Sequence, residues 1–197
     1  FASQFGPLGV RKRNPKDRPE GTESDHMMLV SNIRKDGKPI GSLPDGEMWF
    51  HHDGIYEEQP QLASFLYAME LPSSGGNTLF ANMYLAYDNV PETLKRRLDG
   101  LTALHVYDYR MSEQFDIERG LDGIKHFTHP GFITHTATGR KALYVDRLMT
   151  ARIDGMAKGE SDAILGELYD IGEADDVVYE HVWSTGEMVM WDNFCSM

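Results

Sequence analysis

Along this chain, short apolar runs alternate with clusters of turn-forming residues. Residues 1–9 read as the last turn of a helix running into the turn Phe5-Gly6-Pro7-Leu8. The apolar stretch 27–33 predicts a strand, and Lys35-Asp36-Gly37-Lys38-Pro39 a hairpin turn. A second turn over 42–46 leads into Trp49-Phe50-His51-His52-Asp53-Gly54, expected as an extended strand. Residues 62–71 predict a long strand, with helix as the alternative that the pattern alone leaves open. Pro72-Ser73-Ser74-Gly75-Gly76-Asn77 is a dense turn cluster, followed by a short strand over 78–82. Helical spacing is confined to three places. These are 83–89, then 91–98 with Pro91 at its start and Gly100 behind it, and 161–169, with Ser161 as N-cap and Ile164, Leu165 and Leu168 on one face. Strands are expected over 101–107, 177–183 and 187–191. A hairpin of 127–136 with 141–145 turns at Ala137-Thr138-Gly139-Arg140. The polar stretch 112–125 has no clear period and reads equally as a lid or as plain surface loop. Many short strands with helices gathered in blocks predict a mainly β fold with helical insertions, a sandwich or jelly roll, as one domain over 1–197.

Composition narrows the function classes. A formal net charge of −12 argues against a general nucleic-acid binder, because a polyanion is repelled. No apolar run approaches the ~18 residues a membrane span requires. No secretory leader is visible, and a single cysteine rules out an internal disulfide, so a cytoplasmic location is expected. The basic stretch 10–18 reads first as a solvated loop and second as a source of cations for an anionic ligand.

The candidate chemistry lies at His51 and Asp53. In an extended segment residues two apart point the same way, so an imidazole and a carboxylate would converge. They would supply two of the three ligands in a 2-His-1-carboxylate triad, which leaves coordination positions open on ferrous iron. Alone, H-x-D is a common chance match. His52 would face the other way, as packing or as support. A second histidine is needed, and among His26, His105, His126, His129, His135 and His181 none has a spacing that singles it out. Cys195, without a specified base, reads as an inert thiol.

Four ordered segments carry a family resemblance. They are His51-His52-Asp53, the stretch Leu71-Pro72-Ser73-Ser74-Gly75-Gly76-Asn77-Thr78-Leu79-Phe80, then Thr138-Gly139-Arg140-Lys141-Ala142-Leu143-Tyr144-Val145, and Trp191-Asp192-Asn193. In that order they resemble the taurine dioxygenase / dichlorophenoxyacetate dioxygenase (TauD/TfdA) family of iron(II)- and 2-oxoglutarate-dependent oxygenases, from Phe5 to the last residue. The resemblance implies a double-stranded β-helix (jelly roll, cupin-like, of the clavaminate synthase type). It implies Fe(II) held by His51 and Asp53, Thr78 bonding 2-oxoglutarate, and O2 consumed as succinate and CO2 leave. It places the second iron-binding histidine just after Met197, and the arginine that pairs with the co-substrate further on. The chain is therefore expected to be incomplete at both ends, and a polypeptide ending at Met197 to have weak or no activity. Substrate contacts fall at Arg11, Asn14 and Met149. Arg11 and Asn14 replace the histidine and tyrosine of taurine-specific members, so another small, anionic organic substrate is expected. A homodimer or homotetramer is implied, with no nucleic acid or membrane partner. Asp53 argues against halogenation, which requires that position to lack a carboxylate. The alternative from another class is a non-catalytic jelly-roll binding module without a complete iron site.

Overall fold

The computed structural model describes residues 1–10, 24–42, 46–107 and 114–197. The chain divides into two compact units, Phe1–Met48 and Trp49–Met197. In the first, a 3-10 turn spans Ala2–Gln4, and a two-residue hairpin pairs β1 (Arg34–Lys35) with β2 (Lys38–Pro39). Asp36 and Gly37 both have positive φ (52° and 75°), the backbone a tight two-residue hairpin demands. The strand expected over 27–33 is reduced to one bridge, Val30 to Ser42. Its side chains are partly to largely exposed, so no apolar face holds it to a neighbour.

The second unit is mostly strand. Its strands are β3 (Ala63–Tyr67), β4 (Thr78–Ala81), β5 (Thr102–Val106), β6 (His126–Pro130), β7 (Phe132–Thr134), β8 (Lys141–Leu143), β9 (Thr150–Ile153), β10 (Val178–His181) and β11 (Met188–Asp192). All pairings are antiparallel: β3 with β11, β4 with β10, β7 with β8, and β5 between β6 and β9. The last two strands thus pair with strands about a hundred or more residues back, not with each other. The single strand expected over 127–136 is divided at Pro130-Gly131, where its halves join different sheets. Proline has no N–H to continue a ladder, and the Gly131 N–H turns instead to the Leu101 carbonyl (3.4 Å).

Among the described residues, three α-helices pack with the strands. Helix α1 (Met83–Asn89) starts at Asn82, whose side chain accepts from the Tyr84 and Leu85 N–H groups, and α2 (Glu92–Leu98) follows Pro91. Helix α3 runs over Lys158–Gly172, longer than expected, and Ser161 is not its N-cap. Ser161 lies buried in the first turn, where its Oγ accepts from the Ile153 N–H (2.8 Å) and ties the helix to β9. Met83, Leu143, Leu165, Leu168 and Val177 meet in one buried cluster between α1, α3 and β8. Each such side chain contributes roughly 1.5–3 kcal/mol by leaving water. Phe115, in the stretch expected as a polar loop, is buried against Leu104 and Val106, so the described part of that loop is anchored. Among the described residues no helix is long and apolar enough to cross a membrane.

Candidate metal centre

His51 and Asp53 are not on a regular strand. The chain has no regular secondary structure from Trp49 to His52 and enters a turn at Asp53, with Gly54 at φ 76° and a 2.8 Å bond from the Glu57 N–H to the Gly54 carbonyl. Convergence survives: His51 Nε2 stands 3.5 Å from Asp53 Oδ1. Both side chains keep some exposure, 25% and 34%.

Each is aimed by a bond on its far side. His51 Nδ1 donates to the Trp49 carbonyl (2.9 Å), which leaves the Nε2 lone pair for a ligand. The hydroxyl of Ser64, on β3, donates to Asp53 Oδ2 (2.6 Å), a length expected of a hydrogen bond to a carboxylate. Ser64 Oγ in turn accepts from the Asn193 side-chain N–H (3.0 Å). Asn193 is fully buried and continues β11 past its last residue, its backbone N–H reaching the Leu62 carbonyl (3.0 Å). Asn193 therefore holds Ser64, which holds Asp53 through Oδ2, while Oδ1 faces His51. Burial works against a charged His51, but the Asp53 carboxylate outweighs it and raises the imidazole pKa.

Behind this pair lies a buried polar core. Asp146 accepts from the His52 backbone N–H (3.2 Å) and from His52 Nδ1 (3.3 Å) through Oδ2, and from the Met149 N–H (2.7 Å) through Oδ1. Burial favours the neutral acid, yet His52 and these N–H donors keep the Asp146 pKa below its ordinary value. His105 is fully buried, its Nδ1 3.0 Å from the Thr150 hydroxyl, and burial pushes its pKa down to about 3. Tyr144 packs against the rings of His52, His105 and His129.

Thr78 sits on β4 opposite His181 of β10, and its Oγ accepts from the Trp183 indole N–H (2.9 Å). That leaves the threonine proton available to a ligand. The Phe80 and Trp191 rings, 5.2 Å apart, bring β4 against β11, the strand that leads to Asn193. Met149 lies half-buried in the turn between β8 and β9, tethered through Asp146 to the His51–Asp53 segment. Arg11 and Asn14 lie outside the described residues.

None of the six other histidines joins His51 and Asp53 in a three-donor group among the described residues. His129 Nε2 donates to the Glu57 carbonyl (2.9 Å) in the turn after Asp53, His126 bonds the Ile124 carbonyl, and His26 the Gly9 carbonyl. His51 and Asp53 fit two corners of a ferrous site by donor type and by lone-pair direction. Ser64 and Asp146 went unnoticed in the sequence, since neither lies in a recognisable spacing with its partner.

Residues 1–197 match the family model described as "Taurine catabolism dioxygenase TauD, TfdA family". The chain is 31% identical over 209 residues to an alpha-ketoglutarate-dependent 2,4-dichlorophenoxyacetate dioxygenase of Burkholderia sp. strain RASC, covering 99% of this chain and 68% of that protein. It is 34% identical to a pentalenolactone F synthase of Streptomyces avermitilis, covering 98% of this chain and 67% of that one. Among solved structures, AAD-2 in complex with Mn(II) and N-oxalylglycine superposes with a TM-score of 0.70 at 29% identity, over 84% of this chain and 64% of that chain. The chain thus spans about two thirds of the length of these relatives.

Proposed function

The chain belongs to the TauD/TfdA family of alpha-ketoglutarate-dependent dioxygenases, and from that premise we propose that its site performs Fe(II)- and 2-oxoglutarate-dependent hydroxylation of a small, anionic organic substrate. The observation that carries the reading is the pair His51 Nε2 and Asp53 Oδ1, 3.5 Å apart, each fixed from behind. His51 and Asp53 would hold the iron from one side, as two members of the 2-His-1-carboxylate set that the family resemblance implies. Bound Fe(II) supplies the activation of O2, in which 2-oxoglutarate is oxidised to succinate and CO2 and one oxygen atom enters a substrate C–H bond.

The protein's own groups position and exclude. Thr78, with its oxygen occupied by the Trp183 N–H, donates its proton to a carboxylate of 2-oxoglutarate. Ser64 and Asn193 keep Asp53 from rotating, so one face stays open. Met149 offers the substrate an apolar, adaptable wall. The antiparallel pairing of early strands with late ones (β3 with β11, β4 with β10) supports a double-stranded β-helix.

The test is anaerobic addition of Fe(II) and 2-oxoglutarate to the full-length polypeptide, followed by visible absorption. A weak metal-to-ligand charge-transfer band is expected, lost in Asp53→Ala, and succinate release in air should follow the same pattern. Absence of the band from folded wild-type protein would overturn the oxygenase reading in favour of a binding module.

A further inference from the structure

A second donor cluster lies outside the centre described above. His135 Nε2, Asp192 and Cys195 each place one ligand atom within 4.8 Å of the others. His135 sits at the end of the β7 arm of the β7–β8 hairpin, whereas Asp192 and Cys195 close β11 and the turn after it. The fold brings them together across 57 residues, and His135 Nε2 and Asp192 Oδ2 are already 2.9 Å apart. Imidazole, carboxylate and thiolate form a borderline-soft set suited to Zn(II).

Two further features fit a metal. His135 Nδ1 is 3.3 Å from the Thr138 hydroxyl, an outer bond that can orient the ring while Nε2 faces the ion. The Thr138 hydroxyl is itself fixed by Tyr84 Oη (2.9 Å) and by the Arg140 N–H (3.3 Å). Asp192 and Cys195 are half-buried, so an ion has a route in and water can fill a fourth position. A carboxylate and a thiolate would neutralise a divalent charge. With Zn–N and Zn–O bonds of about 2.0 Å, tetrahedral ligands lie roughly 3.3 Å apart, so the His135–Asp192 pair needs to open by only a few tenths of an ångström. Binding would take the neutral imidazole with its proton on Nδ1, toward the Thr138 hydroxyl, and would release the Cys195 thiol proton to water.

We propose that His135, Asp192 and Cys195 form a second site for a divalent cation of Zn(II) type, which clips the β7–β8 hairpin to the end of β11. The clip is separate from the proposed oxygenase centre, although it grips the strand end that carries Asn193.

Co(II) is the probe. Because Cys195 is the chain's one cysteine, a near-ultraviolet thiolate-to-cobalt charge-transfer band can arise nowhere else. In Asp53→Ala protein, where the proposed oxygenase centre is disabled, Co(II) should raise that band to saturation at one equivalent, and Zn(II) should bleach it. Cys195→Ser should abolish the band. His135→Gln and Asp192→Asn should each weaken Co(II) binding by at least the roughly 10–100-fold that loss of an outer partner costs. No thiolate band in folded protein under excess Co(II) would overturn the site. So would a band of unchanged affinity in both His135→Gln and Asp192→Asn, because the thiol would then be binding alone.

Discussion

Asp146 grips His52 by both its backbone N–H and its ring, with the two residues 94 positions apart and both fully buried. The contact fixes the backbone between His51 and Asp53 without touching either facing atom. A third bond, from the Met149 N–H to the other carboxylate oxygen, extends the same hold to the turn before β9. His51–Asp53 geometry thus rests on a buried carboxylate–imidazole hydrogen bond from one side and on Ser64 from the other.

Removing that carboxylate should be costly. In Asp146→Ala the imidazole of His52 and two backbone N–H groups lose their acceptor inside the core. A buried donor left without its acceptor costs about 1–3 kcal/mol. Urea denaturation should show a lowered midpoint with the slope unchanged, and a midpoint equal to wild type would sink this account of the mount.

Ser64→Ala separates support from ligation. It takes one bond from Asp53 and leaves the Asn193 side-chain N–H unpaired in the interior, at about 1–3 kcal/mol in stability. The variant should fold, and its apparent Fe(II) affinity should fall by about 10–100-fold, the usual loss for an outer partner. Metal titration of Ser64→Ala beside Ser64→Thr, which keeps a hydroxyl, isolates the effect.

Acid stability should carry the mark of His105. Burial lowers its folded pKa to about 3 from an ordinary 6.5. Below pH 6.5 the unfolded chain therefore binds a proton that the folded chain refuses. Stability is full above 6.5 and falls as pH drops toward 3, with a limiting slope of about 1.4 kcal/mol per pH unit for one group. Asp146 adds its own loss only at lower pH, since its depressed folded pKa makes the benefit vanish as pH falls below its ordinary 3.8. Between pH 6 and 4, His105→Gln should show a shallower decline in urea midpoint than wild type. Parallel declines would remove His105 from the explanation.

The structure also separates what was local from what was not. The His51/Asp53 pair, the Asp36-Gly37 turn, the helices at 83–89 and 91–98 and the mainly β character all follow from spacing within a few residues. There the chemistry is contained in one turn or one strand period. The four ordered segments likewise pointed to the family.

Tertiary structure alone decided who supports the site. The Asn193–Ser64 bond joins residues 129 apart, His135 meets Asp192 across 57, and the Asp146–His52 pair depends on two segments sharing one core. A buried donor takes whatever acceptor packing delivers, and no period along the chain records that choice. The same holds for the errors. Pro130-Gly131 divided one expected strand between two sheets, and Ser161 passed from cap to core contact, because in each case the available partner belonged to a distant strand.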